Sequence, residues 1–543
     1  MKRIIALLLI LVSSTLSAAE ATSKRGAVAS SSRFATSIGV QVLKEGGNAV
    51  DAAVAVAFAL SAAFPQSAVL GGGGILVYYD HGTDAVWTLD FLELTPYKAT
   101  PESLKTAAAD VKSSPQHLAA ISAGVPGAVA GLAALHKRFG TGSWSRLLTP
   151  AITLAQGGVP VSAALSSDLA TAAAKRGIDK YPSTNAIFFS DGKPLAAGST
   201  LHQKDLADTL TRIAEKGGTD FYSGVTGARI IEAERNAGGL MAARDLTEYA
   251  PLWRAPIEID HAGTQIFAPA PPSTGGVFLA DALRILGRDN VGSTPGTPQY
   301  AHTLAETERR ARLDVAHYVG DPAFLRILYK DLFSDERTRM WRSSIDPARA
   351  SDPAALEATS FEHDHTTHFV VADGEGNLVS MTTSLGDLFG SGWIAEGTGI
   401  FMNSTLAPYL QGHPIAGVLG PSRRLPSDLC PVIVLKNHKP ILAVGAAGGA
   451  AIPDIMLGLL TNVLSGRQTL SAAIAAPRWW QSNAGNRIFF ESALTHPLMD
   501  RLTEMGHAAE IQESLGDVEG VMISGNELTA VSDPRHGGAA GGY

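Results

Sequence analysis

Apolar residues recur with helical spacing over residues 38–45 and 52–63, two runs rich in alanine, valine and leucine, and Pro65 closes the second. Residues 75–79 then read as a strand. Further helices are predicted over residues 119–135, 205–215, 277–286 and 299–318, the last carrying Glu306, Glu308, Arg309 and Arg312 along it. Strand signals dominate later: residues 369–372, 378–383, 432–435 and 441–444 are β-branched or apolar, and only residues 455–464 return to a helical pattern. Helical layers around strand pairs suit a mixed α and β fold, and no repeat at a solenoid period is evident.

At 543 residues and 45% hydrophobic, the chain can bury a large core, and length alone would allow several domains. The formal net charge of -8 disfavours nucleic acid or an anionic membrane as the main partner. Lys2-Arg3, the apolar run of residues 4–12 and the small residues Ser17-Ala18-Ala19 predict a secretory signal peptide cut after Ala19. That run is too short to span a bilayer, and no cysteine follows it for lipid attachment, so no stable membrane anchor is expected. The single cysteine, Cys430, rules out an intrachain disulfide and is expected to be buried packing. A periplasmic or extracellular protein held together by its core is the expectation.

Within this pattern one hairpin carries candidate chemistry. Residues 366–372 are β-branched and aromatic, Asp373-Gly-Glu-Gly-Asn377 is a turn signal, and residues 378–384 resume the strand. The first strand thus opens on two hydroxyls, Thr366 and Thr367. A threonine hydroxyl is a poor nucleophile without a base in reach, and a chain terminus supplies one in its own α-amine, which titrates near neutrality. That chemistry requires cleavage between His365 and Thr366. On this segment alone an ordinary edge hairpin is the competing reading. His363, Asp364, His365 and His368 could instead suggest zinc, but on a strand His368 leaves the face shared by His363 and His365. A loop exposing the scissile bond is the preferred reading, and no metal or cofactor is expected.

Other segments place the hairpin in context. Gly46-Gly-Asn-Ala-Val-Asp51, Pro65-Gln66 with Gly71 to Gly74, Ser122-Ala-Gly-Val-Pro-Gly-Ala-Val129, Pro271-Pro-Ser-Thr-Gly-Gly276, Thr366-Thr-His368, Gly448-Gly449, Ala476-Pro-Arg478 and Ser532-Asp-Pro-Arg535 with Gly542-Tyr543 follow one another along the chain. In this order the set resembles the γ-glutamyltransferase (glutathione hydrolase) family from about residue 26 to the end. The resemblance implies an α+β fold, the αββα sandwich of N-terminal-nucleophile hydrolases. It further implies a proenzyme that cuts itself into a large subunit, residues 20–365, and a small subunit, residues 366–543. Thr366 would be the nucleophile in both self-cleavage and turnover, and Ser384 would orient it from a position where the family usually has threonine. Thr367 is a second candidate for that role or a plain strand residue. Gly448 and Gly449 match the family's oxyanion hole, in which one backbone donor is typically worth about 2.7 to 4 kcal/mol. Gly71 to Gly74 match a buried stretch of close packing.

The family's glutamate-reading side chains are largely replaced. Its Asp-Phe-Arg-Glu motif reads Asp90-Phe91-Leu92-Glu93, the position of an amide-bearing contact is Gly386, an Asn-Gln pair reads Ser404-Thr405, and its aspartate aligns with Pro408. The Ser-Ser pair becomes Ser427-Asp428. Losing the arginine and aspartate contacts would cost roughly 3 to 6 kcal/mol, or about a hundred- to ten-thousandfold in selection for a glutamyl zwitterion. Arg423 and Arg424 are candidates to hold a carboxylate and Asp428 to hold an amine, with Ser427 beside them. Arg478-Trp479-Trp480 is expected to be packing rather than a substrate shelf. The segment of residues 406–426 also looks shorter than the family's lid-bearing stretch, which implies a more open cleft.

The leading expectation is a secreted, self-processing amide hydrolase and acyltransferase acting on a small amide or peptide, with hydrolysis outweighing transfer and γ-glutamyl recognition left open. A true glutathione hydrolase reading glutamate through other residues is the alternative. An unprocessed, inactive periplasmic binding protein is a third, which the retention of Thr366, Ser384 and the glycine pair argues against.

Overall fold

The computed structural model describes residues 18–110, 115–287, 295–326, 328–356, 365–411, 419–465, 467–482, 486–492 and 496–543. The first 17 residues of the predicted leader, residues 1–19, and the pair His363-Asp364 lie outside them. Among the described residues, no helix is long and apolar enough to cross a membrane.

The strands that matter are β1 (Ala19–Ser23), β2 (Gly26–Ser30), β3 (Gly73–Asp80), β4 (Ala85–Asp90), β5 (Leu252–Arg254), β6 (Ile257–His261), β7 (Thr264–Ala268), β8 (His365–Asp373), β9 (Leu378–Gly386), β10 (Val432–Lys436), β11 (Lys439–Ala447), β12 (Asp517–Ser524), β13 (Glu527–Ser532) and β14 (Ala539–Gly542). They form two seven-stranded sheets, ordered β1-β13-β12-β11-β10-β7-β6 and β14-β2-β8-β9-β3-β4-β5. Every neighbouring pair in both is antiparallel.

The sheets pack face to face through Val77, Val370 and Ala372 on one side and Ile433, Ala443 and Val521 on the other. The alternate residues of β8, Phe369 and Val371, join a second core with helices α1 (Arg33–Lys44), α2 (Ala49–Ala63) and α3 (Ala163–Arg176). Helices α4 (Thr274–Leu286), α5 (Pro298–Tyr318) and α6 (Ile452–Leu464) cover the opposite sheet. The result is the expected αββα sandwich. Both sheets mix strands from before and after residue 366, so the two prospective chains interleave within one core.

Several motifs find their reasons in packing. Helix α2 is buried on nearly every side, which explains its alanine-rich, non-amphipathic sequence. Asn48 caps it reciprocally with Asp51, and Asp51 also accepts from the backbone of Thr141 and Gly142 at 3.0 Å. At the β8–β9 turn, Asp373 accepts from the backbone N–H of Glu375 and Asn377, each at 2.9 Å, and from Ala49 N at the start of α2. The turn is thereby tied to a helix N-terminus, where a carboxylate is favourable. A Cβ on Gly71 or Gly72 would lie 1.8 Å from the Phe401 carbonyl or 2.0 Å from that of Ser384, so these glycines mark backbone contact. Arg478 and Arg535 converge on buried Asp533, and Arg535 also pairs with Glu491 at 2.7 Å. This network joins the Ala476-Pro-Arg478 and Ser532-Asp-Pro-Arg535 motifs.

One predicted element is corrected. The helix expected over residues 119–135 is two helices, Pro115–Ile121 and Ala128–Phe139. Pro126 has no N–H to continue a helix, and the intervening backbone is used elsewhere: Val125 bridges to Leu94 and Gly127 N donates to Gly72 O at 2.9 Å. Cys430 is fully buried, as expected, and burial pushes its thiol well above the usual range.

Candidate active site

Thr366 stands near the start of β8 with 7% of its surface exposed. Its cross-strand partner is Ser384, while His365 pairs with Gly386, so β9 carries an extra residue at this point. Such a bulge bends a strand and re-aims side chains. Ser384 Oγ accepts from Gly386 N at 2.9 Å, and Gly386 turns away at φ +89°. Thr366 shares its strand face with His368, which lies between the sheets. There His368 is fully buried, its Nδ1 2.8 Å from Thr382 Oγ1, and burial lowers its pKa to about 3. It is a neutral core residue. Thr367 points to the opposite face, 3.1 Å from Ser31 Oγ.

The glycine pair follows β11 directly. Gly448 adopts φ +140° and Gly449 φ +57°, conformations that disfavour other residues. The turn is braced from outside by Arg312 of α5, which donates to Ala450 O at 3.0 Å and pairs with Asp454. Arg312 was predicted only as a helix residue. Nothing in the helical pattern distinguishes it from a solvated charge.

Thr366 and Gly448 both line a cavity of about 450 Å³. Its walls include Gln66, Asp168, Asp517, His536 and the stacked rings of Trp480 and Phe489, 5.1 Å apart. Trp480 is therefore both packing and cavity wall. Asp168 lies on α3 in no recognisable motif, so only the fold brings it here. Burial raises its carboxyl pKa, partly offset by His536 and by a hydrogen bond from Gln66. Burial, reinforced by the charge of Asp533, raises Asp517 to about 6.

On the side of Ser384 lies a smaller cavity of about 50 Å³, lined by Leu92, Glu93, Gly386, Thr405, Tyr409 and Ser427 among others. Of these, Leu92, Gly386 and Thr405 stand where glutamate-reading residues were expected to have been replaced. Leu92 presents an apolar side chain, only 3% exposed. Burial raises Glu93 to about 7 against the opposing backbone hydrogen bonds at its own N–H and that of Gly73. Tyr409 Oη is buried there without a hydrogen-bond partner. Among the described residues no lysine or arginine lines this cavity. Tyr409, Leu425 and Pro426 also line it, and residues 412–418 of the expected short lid segment lie outside the described residues.

The other predicted binding residues divide. Ser427 lines the small cavity, and its backbone receives Thr274 N at 2.8 Å. Asp428 turns from it to accept from Thr274 Oγ1, and burial raises its pKa despite that bond and nearby Arg312. Arg424 is buried, donating from Nε to Asp90 at 3.1 Å and from its terminal nitrogen to Ala250 O at 2.6 Å. Arg423 stacks over Phe324, 4.3 Å from the ring centroid. Thus neither arginine lines either cavity. The Arg424 guanidinium, together with Arg254, supplies a counter-charge to buried Asp90.

Comparison with known proteins agrees with this architecture. The family model described as gamma-glutamyltranspeptidase matches residues 35–543. The glutathione hydrolase proenzyme of Escherichia coli (strain K12) is 32% identical over 527 residues, covering 94% of this chain and 90% of its own. The acylase ACY 1 proenzyme of Pseudomonas sp. (strain SE83) is 33% identical over 500 residues, covering 90% and 88%. The crystal structure of cephalosporin acylase from Bacillus halodurans superposes with a TM-score of 0.86 at 27% identity, over 96% of this chain and 97% of that one. The chain is a member of the gamma-glutamyltranspeptidase family, built on the fold of N-terminal-nucleophile hydrolases.

Proposed function

We propose that the protein is a secreted, self-processing amide hydrolase in which Thr366 is the nucleophile and the acyl group is not γ-glutamyl. In processing, Thr366 Oγ attacks the His365 carbonyl carbon, the peptide C–N bond breaks, and the acyl chain moves to oxygen while the nitrogen becomes a free α-amine. Water then releases the ester, leaving residues 20–365 as the large subunit and residues 366–543 as the small one. In turnover the α-amine takes the proton of Thr366 Oγ as it attacks the substrate amide, and passes it to the departing nitrogen. Water resolves the acyl-enzyme.

Ser384 orients Thr366 across the hairpin, and the N–H groups of Gly448 and Gly449 stabilise the tetrahedral oxyanion. The observation that carries this reading is that a nearly buried threonine, opposite a hydroxyl and at a strand bulge, opens onto the same cavity as a strained glycine turn. The apolar Leu92 and the absence of a lining cation in the small cavity argue against a glutamyl α-carboxylate there. For that reason Arg423, Arg424 and Asp428 have no part in the mechanism proposed, and Ser427 is kept as an acyl-group contact.

The second reading, a glutathione hydrolase that recognises glutamate by other means, draws on the relatives of that name at 32 to 33% identity. A panel of amides on the processed protein separates the two. The proposal expects weak release from a γ-glutamyl anilide relative to other acyl anilides; a strong preference for γ-glutamyl would overturn it.

A further inference from the structure

Ser384 lines the small cavity, whereas Thr366 and Gly448 line the large one. If the acyl group occupies the former, the amine half of the amide faces the latter. This inference therefore rests on Thr366 being the nucleophile. The large cavity has a distinct chemical character: its unsatisfied polar groups include acceptors with no complementary fixed cation. Gln66 is 6% exposed, and its Oε1 has no hydrogen-bond partner while its amide donates to Asp168 at 3.4 Å. Asp517 is 5% exposed, and its Oδ1 likewise has no hydrogen-bond partner, with His536 Nδ1 3.9 Å away. Asp168 adds a second carboxylate.

Among the described residues no lysine or arginine lines this cavity. An unpaired buried acceptor is costly, and a ligand carrying N–H donors would relieve that cost. The stacked pair Trp480 and Phe489 adds a flat apolar wall to the same cavity, and the Trp480 indole N–H is already spent on Gln512 at 3.2 Å. The combination suits a flat or apolar body bearing a cation, which carboxylates and ring faces both attract.

We propose that the cavity between Thr366, Asp168 and Asp517 is a subsite for the amine half of the substrate and selects cationic, donor-rich amines over anionic ones. An amine leaving in hydrolysis and an amine arriving as acyl acceptor share this chemistry, and two measurements distinguish them.

With the acyl group held constant, kcat/KM is compared for anilides carrying para-aminomethyl, para-methyl and para-carboxylate substituents. The expected order is cation, neutral, anion, with cation over anion by about tenfold or more, the scale of one charge-assisted hydrogen bond. Acceptor use is read from the yield of acylated product when 4-(aminomethyl)aniline or 4-aminobenzoate is added in excess. Asp168→Asn is expected to shrink whichever preference is found and Asp168→Lys to reverse it; because the readout is a ratio, general losses of activity cancel. Turnover with no charge preference in either measurement, or a preference that survives Asp168→Lys, would overturn the inference. A processed protein that turns over no amide contradicts the hydrolase reading itself.

Discussion

In the proposed function the hydroxyl of Thr366 performs two reactions, and substitutions at that residue separate them from folding. Thr366→Ala removes the nucleophile while leaving β8 intact, so a folded, uncut chain is expected; Thr366→Ser keeps the hydroxyl and is expected to cleave. Electrophoresis under denaturing conditions reads both. Ser384→Ala removes an orienting hydroxyl from the partner strand, and a fall of about tenfold in kcat with little change in KM is expected, the cost of one modest hydrogen bond in the transition state. Ser384→Thr is expected to restore it, and steady-state kinetics on an active anilide would show whether it does. The hairpin that sets Thr366 opposite Ser384 was legible in the sequence because two β-branched runs flank a turn signal. Arg424 was not, since an arginine beside a motif looks the same whether it meets a ligand or, as here, a buried Asp90. Asp168 and Asp517 are joined to the cavity only by the fold, which no local pattern reveals.

At the scale of elements, the proposed oxyanion hole depends on the turn after β11. Gly448→Ala would place a Cβ at φ +140°, 3.0 Å from Gly516 Cα, and so requires the turn to move. A loss of roughly a hundred- to thousandfold in kcat is expected, as for removal of one oxyanion donor, with thermal melting showing that the fold persists. The elements were largely readable because their periodicity follows burial: α2 and the β8–β9 hairpin lie within a few residues of their predicted bounds. The broken helix around Pro126 was misread because alanine and valine on both sides masked a segment whose backbone bonds to Gly72. The charges of α5 were visible, but their burial was not. Glu306 and its arginine partners instead form an internal network with the chain at Ser351.

For the whole molecule, interleaving of the two segments would make the proposed cleavage a local event. Fragments meeting at Thr366 should remain together through size-exclusion chromatography and part only in denaturant, because both sheets draw strands from each side of the cut. The distribution of buried acids gives a second expectation. Burial raises Glu93 to about 7 and Glu234 and Glu308 to about 8, so the folded state binds more protons than the unfolded state as pH rises past ordinary carboxylate values. Their stabilisation is full below about pH 4.5 and is lost as pH rises through those folded values. Buried neutral His368 and His507 act oppositely, but only below about pH 6.5. The melting temperature should therefore fall between about pH 6.5 and 8.5, and Glu234→Gln should flatten that slope; a Tm rising over this range would count against it. The most direct test of the account is N-terminal sequencing of the smaller fragment from freshly purified protein. The account predicts Thr366 followed by Thr367 and His368; a full-length uncut chain, or a fragment beginning at any other residue, would contradict it.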